Sequence, residues 1–191
     1  MKIEVLVSTM HQNNIDFIKS MNLKTPAIIG NQSDEEKIEE FDNNGFPVKM
    51  ITTKTRGLSR NRNITLEHAS GDICLLTDDD LIYHDDYVEI ITKAFQDNPK
   101  ADLIIFNLDE EPITRFIIQK KMKVGFLNYM RFGSVRIAFK LQSIRGKRIS
   151  FDTNFGSGAP VPYGEDTIFL HDCLKAKLKV IALITDNRWG F

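Results

Sequence analysis

DICLLTDDD, residues 72–80, sets a short apolar run directly against three adjacent carboxylates. A continuous apolar run of this length reads as a buried strand, with Asp78, Asp79 and Asp80 emerging at its carboxyl end. Three ionised carboxylates in a row repel one another, so a chain that keeps them needs something to offset the cost. A divalent cation is the first candidate, because Mg²⁺ and Mn²⁺ prefer carboxylate oxygens, usually one or two, completed by waters and substrate phosphates. Alternation along an extended segment puts Asp78 and Asp80 on one side and Asp79 on the other. An acidic cap for the next helix explains the charges less well than metal or ribose binding, since Asp85 and Asp86 already supply one.

Working outward, similar runs recur at IEVLVS (3–8), PAIIG (26–30), FPVKMIT (46–52) and ADLIIFN (101–107), with a last strand from about 179 to 184. Helical stretches separate them. Ser59 is placed to cap a helix ending near Gly71, Asp86 and Glu89 resemble a capping box before a helix that stops at Asn98-Pro99, and another helix starts near Gly164. This alternation predicts an α/β fold with a mostly parallel central sheet and helices on both faces. In such sheets ligands sit outside the carboxyl ends of the strands, where the triple Asp falls.

The 191 residues fit one domain with a sizeable core. No apolar run spans a bilayer and the start does not read as a secretory signal, so a cytoplasmic location is expected. Cys74 and Cys173 are read as reduced core thiols rather than zinc ligands. His11, His68, His84 and His171 are scattered and read as structural or exposed.

The net charge of −1 conceals an asymmetry. Between Ile113 and Phe151 there are ten Lys and Arg and no Asp or Glu, which leaves 15 basic against 26 acidic side chains elsewhere. With its aromatics, this segment 113–151 is expected to face an anionic membrane surface or a lipid-diphosphate acceptor; nucleic acid is the weaker reading.

Four other stretches could carry chemistry. Arg56, Arg60 and Arg62 crowd a helix start, where cations are disfavoured unless an anion docks there; a solvated basic face is the bland reading. Asn31, Gln32 and Ser33 follow the second strand and could read a base edge or make a turn, and Ser8, Thr9 and Met10 follow the first. Glu165 and Asp166 open a helix, as dipole partners often do, but they follow FGSGAP, whose glycines permit close approach of a ligand.

VLVSTMHQ, AIIGNQSDE, GLSRNRNITLEHASGDICLLTDDD and FDTNFGSGAPVPYGEDTIFL, in this order, resemble the inverting family-2 nucleotide-sugar glycosyltransferases of the GT-A fold. The likeness covers residues 3 to about 107 and 151 to 184. It implies a single-domain GT-A, Rossmann-like fold over residues 1–191, with a nucleotide-binding half (1–107) and an acceptor half (108–191), and transfer of a sugar from a nucleotide-diphosphate donor to a glycan or lipid-linked acceptor with inversion. By the same resemblance Asp166 is the catalytic base and Asp80 holds Mg²⁺ or Mn²⁺. Ser8, Thr9, Met10, Asn31, Ser59, Arg62, Asp78 and Asp79 surround the nucleotide, and Gly158 and Glu165 lie on the acceptor side. Asn31 stands where the family often has Asp. The family also has a further segment that closes over the diphosphate, for which Arg188, Trp189 or the partner chain of a homo-oligomer would stand in. A non-catalytic nucleotide-sugar-binding subunit or sensor is the alternative. A nucleotidyltransferase would show a Gly-rich phosphate loop with a Lys near the first strand, and STMHQNN has neither.

Overall fold

The computed structural model describes residues 1–110, 112–184 and 189–190. In chain order the elements are β1 (Ile3–Met10), α1 (Phe17–Ser20), β2 (Ala27–Gln32), β3 (Lys37–Asn43), β4 (Phe46–Thr53), α2 (Leu58–His68), β5 (Ile73–Asp78), α3 (Tyr87–Asp97), β6 (Leu103–Ile105), β7 (Leu108–Asp109), β8 (Met122–Val124), β9 (Ile137–Lys140), α4 (Leu141–Gly146), α5 (Glu165–Lys175), β10 (Val180–Ala182) and β11 (Trp189–Gly190). Nine strands form one sheet in the order β3-β4-β2-β1-β5-β9-β6-β10-β8, and β11 pairs with β7 beside it. Strands β4, β2, β1, β5, β6 and β10 run in one direction, with β3, β9 and β8 opposed. The expected largely parallel α/β sheet is therefore present, with antiparallel insertions.

Alternation along β1 shows how the two faces are filled. Val5 and Val7 join a core with Ile18, Tyr87, Ile91 and Phe95 of α1 and α3. Leu6, on the opposite face, joins Leu66, Ile144, Phe169 and Leu170 of α2, α4 and α5. Both cysteines are buried free thiols, and burial pushes the pKa of each well up, so both stay protonated.

Three local expectations are corrected. Gly57, at φ +114, caps α2; Ser59 lies inside the helix and its Oγ donates to the Phe155 carbonyl at 2.6 Å. Asp86 is the N-cap of α3 but makes no side-chain capping bond. The segment from 113 to 151 is not one cationic face, because it holds β9, which lies between β5 and β6 in the middle of the sheet.

Several cations of that segment are used internally. Arg136 is buried and donates from Nε to the Phe106 carbonyl (2.8 Å), from Nη1 to the Phe116 carbonyl (2.9 Å) and from Nη2 to Asn107 Oδ1 (3.3 Å). Arg145 Nη2 donates to the carbonyls of Leu66, Glu67 and Ala69 at 3.0, 2.8 and 2.8 Å, which satisfies the open end of α2. Lys140 Nζ donates to the Pro99 carbonyl, and Arg115 pairs with Glu110. Arg188 lies outside the described residues. Among the described residues no helix is long and apolar enough to cross a membrane.

Candidate functional site

Strand register brings the predicted groups together. Ser8 of β1 sits opposite Asp78 of β5 on one side and Gly30 of β2 on the other, while Thr9 is opposite Asn31 and Asn31 is opposite Thr52 of β4. The polar residues that end these apolar strands therefore emerge at one edge of the sheet. Helix α2 packs over that edge because Gly30 has no side chain: a Cβ there would lie 2.2 Å from Asn61 Oδ1, while Asn61 Nδ2 donates to the Gly30 carbonyl at 2.8 Å.

A cavity of about 370 Å³ opens at this edge, lined by Ser8, Thr9, Met10 and Gln32, by Arg56, Gly57 and Leu58, by Asp78 and Asp79, and by Ser157 and Gly158. Gly158, expected on the acceptor side, thus shares a wall with the strand-end residues. Ser8 is buried, and its hydroxyl has no hydrogen-bond partner among the described residues. A buried hydroxyl without a protein partner at a cavity wall is one that a water or a ligand group could satisfy.

The three aspartates have three different settings. Asp79 accepts from Thr9 Oγ1 and, at 3.4 Å, from Gln12 Nε2. Asp78 accepts from Arg62 Nη2 at 3.4 Å. Asp80 is exposed and makes no hydrogen bond or ion pair among the described residues. Burial, together with Asp80 and Asp166, pushes the Asp78 carboxyl above its ordinary range, against the pull of Arg62. Among the described residues no group of three or more His, Cys, Asp or Glu is arranged to hold a metal alone. Hard oxygen donors with one carboxylate uncommitted do fit Mg²⁺ or Mn²⁺ whose shell is completed by a diphosphate.

Arg62 joins this edge to the helix that follows the glycine loop. Its side chain is 3% exposed; Nη1 donates to Asp166 Oδ1 at 2.7 Å and to Glu165 Oε1 at 3.3 Å, in addition to the contact with Asp78. Its guanidinium carbon also lies 5.5 Å from the Phe151 ring centroid. The expectation of an arginine cluster holding an anion at the start of α2 is corrected. Arg56 turns to Asp34 (2.6 Å) and the Ser33 carbonyl (2.7 Å), Arg60 is exposed, and Arg62 points inward. Two amides at the helix start are already committed, that of Gly57 to Gln32 Oε1 at 2.7 Å and that of Leu58 to the Ser157 carbonyl at 2.8 Å.

Asn31 is wholly buried and does not present an amide edge to the cavity. Its Oδ1 accepts from the Gln12 amide at 3.0 Å, and its Nδ2 donates to the Gln12 carbonyl at 2.8 Å and to Thr52 Oγ1 at 3.2 Å. It orders the loop after β1. Sequence reasoning passes over Gln12, which that loop brings to Asp79; an amide two residues past the end of β1 is the available signal. Ser59 is buried and committed to Phe155, so it ties the glycine loop to α2.

Residues 30–159, more than half of the chain, match the family described as glycosyl transferase family 2. The chain belongs to glycosyl transferase family 2. Solved structures with the same fold include S. aureus TarS 1-349 in complex with UDP-GlcNAc, 16% identical, covering 100% of this chain and 58% of that one with a TM-score of 0.74. Another is S. aureus TarS 1-349 in complex with UDP, 17% identical, covering 100% and 60% with a TM-score of 0.69. A third, S. aureus TarS, is 16% identical and covers 99% of this chain and 36% of that one, with a TM-score of 0.74. This family-2 chain thus spans 58% or less of the length of the first two of these in order of likeness. No curated protein matches the chain.

Proposed function

We propose that this chain is the catalytic domain of an inverting glycosyltransferase that moves a sugar from a nucleotide-diphosphate donor to a glycan or lipid-linked acceptor. The observation that carries the reading is the Arg62 bridge, which places Asp78 of the β5 end and Asp166 of α5 on one guanidinium. This proximity supports a donor and a base that share one site. We read the chain as one domain in which the nucleotide half and the acceptor half share this bridge.

In this reading the nucleotide occupies the cavity beside Ser8, Thr9 and Met10, with the Ser8 hydroxyl available to it. Asn31 acts on the base site through Gln12. Asp79, held by Thr9 and Gln12, faces the ribose, and Asp80 with Asp78 supplies the oxygens for Mg²⁺ or Mn²⁺. When bound, such an ion offsets negative charge on the departing diphosphate. An acceptor hydroxyl is a poor nucleophile near pH 7, so Asp166 takes its proton as the oxygen attacks the anomeric carbon. One displacement with one base inverts that centre. Glu165, on the same guanidinium as Asp166, fixes the start of α5 and with it the direction in which Asp166 faces. The UDP-GlcNAc complex of TarS makes a uridine donor the first to try.

The alternative, a nucleotide-sugar-binding subunit or sensor, uses the same cavity without chemistry. Asp166→Asn separates the two. In the transferase reading, transfer or donor hydrolysis falls by about 10²–10⁴-fold while donor affinity holds and the variant stays folded, its unfolding midpoint lowered by no more than the weakened Arg62 contact. Unchanged turnover in Asp166→Asn would remove the proposed base.

A further inference from the structure

Not all of the basic segment is used internally. Between β8 and β9 the chain makes a tight loop, Gly125–Arg131, that holds apolar side chains out in solvent. Leu127 is 100% exposed, Met130 72% and Phe126 58%. The loop is built to do this. Asn128 Oδ1 accepts from the Gly125 amide at 2.8 Å, Asn128 Nδ2 donates to the Lys123 carbonyl at 3.1 Å, and the amides of Asn128 and Tyr129 both donate to the Gly125 carbonyl, at 3.0 and 3.1 Å. Phe126 is also anchored, with its ring 5.7 Å from His171 of α5 and 6.3 Å from Tyr129.

Exposed cations surround it. Lys123 precedes the loop, Arg131 ends it over the Phe116 ring at 5.0 Å, and Lys175 lies one helical turn beyond His171 on the same stripe of α5. The neighbouring carboxylate, Asp172, meets His171 Nδ1 at 3.2 Å. We propose that Gly125–Arg131 is an interfacial finger that seats the domain on an anionic lipid bilayer, with Leu127 at its tip. Charge decides the occupant: no acidic residue occurs from Ile113 to Phe151, and apolar side chains ringed by Lys and Arg match the acyl and headgroup layers of such a surface.

The finger leads toward the chemistry. Farther along the same segment, at Gly133, a Cβ would lie 3.4 Å from Asp166 Oδ2. The finger and Gly133 thus pack along one helix, α5, at His171 and Asp166, which suits an acceptor carried on a lipid; this purpose, though not the docking, rests on the transferase reading.

The test is co-sedimentation of the purified chain with vesicles of phosphatidylglycerol and phosphatidylcholine, and with phosphatidylcholine alone. The chain pellets with the anionic vesicles. Leu127→Glu and Met130→Glu each weaken that binding by about tenfold or more, and Lys123→Gln and Arg131→Gln each by about fivefold. Thermal unfolding identical to wild type shows that a variant is folded, and either Glu variant suffices. The proposal is overturned by no binding to anionic vesicles, or by binding that both Glu variants leave unchanged. It is also overturned by a self-association in sedimentation equilibrium that Leu127→Glu dissolves without any vesicle binding, which would make a second copy the occupant. Nucleotide binding, measured on the same samples, keeps the two ideas apart: vesicle binding without nucleotide binding leaves the finger standing and removes the donor site, and the converse removes the finger alone.

Discussion

Arg62 Nη1 lies 2.7 Å from Asp166 Oδ1 while Nη2 of the same guanidinium reaches Asp78 Oδ1 at 3.4 Å, so one buried cation couples the end of a central strand to the first turn of α5. The two carboxylates are 88 residues apart in sequence, from 78 to 166. Removing that cation leaves Asp78, Glu165 and Asp166 facing one another. Arg62→Ala is expected to cost about 3 kcal/mol, the low end of the range for breaking a buried pair, because Asp78 and Asp166 keep some solvent. Arg62→Lys recovers only part of this, since an ammonium cannot serve three carboxylates through a planar fork. Urea unfolding measures both, and a loss under about 1 kcal/mol for Arg62→Ala contradicts the account.

The same cluster sets a pH dependence. Burial first, and Asp166 next, push the Glu165 carboxyl above its ordinary range, against the pull of Arg62. A carboxyl whose folded value is raised contributes stability that is fully present below its unfolded value, near 4.5, and lost as pH rises through the folded value. Glu165→Gln lacks that loss. Thermal unfolding of both proteins from about pH 4 to pH 7 is therefore expected to move in favour of the variant as pH rises; a constant gap contradicts the assignment.

Gly158 has φ +78, and a Cβ there would lie 3.2 Å from the Gly57 Cα, so the cavity wall is fixed by contact of two backbones. Gly45 has φ +88 with nothing within 4 Å of its would-be Cβ. Gly45→Ala is expected to cost about 1 kcal/mol of backbone strain alone. Gly158→Ala should cost more, about 2 kcal/mol, and weaken nucleotide binding as the wall shifts. Unfolding midpoints and calorimetric affinities check the ranking, and equal effects contradict it.

What the sequence made legible follows from the strength of each local pattern. β1, β2, β4 and β5 are continuous apolar runs ending in polar residues, so both the sheet and its ligand edge could be read. β3 escapes a pattern reading because its less exposed side is Lys37, Glu39, Phe41 and Asn43 while Ile38 faces out; the available signal is Asn44-Gly45, both at positive φ, which joins it to β4 as a two-residue hairpin turn. β9 is short and lies among cations, so charge masked a central strand. Side-chain destinations were the least legible. Arg62 and Arg60 are two residues apart on one helix, yet one is buried among carboxylates and the other is in solvent, a difference set by α5, which comes a hundred residues later. Asn31 followed the same pattern: a polar residue at a strand end is placed by the ladder, but whether it faces a ligand or a loop is decided by Gln12.

A donor site at the carboxyl end of β5 can be measured by titration calorimetry of nucleoside diphosphates with and without Mn²⁺, on wild type and Asp80→Ala. The account predicts that one nucleotide binds in a Mn²⁺-dependent manner and that Asp80→Ala abolishes the metal dependence. Binding of no nucleotide in either condition, or Mn²⁺-dependent binding that Asp80→Ala leaves intact, would contradict it.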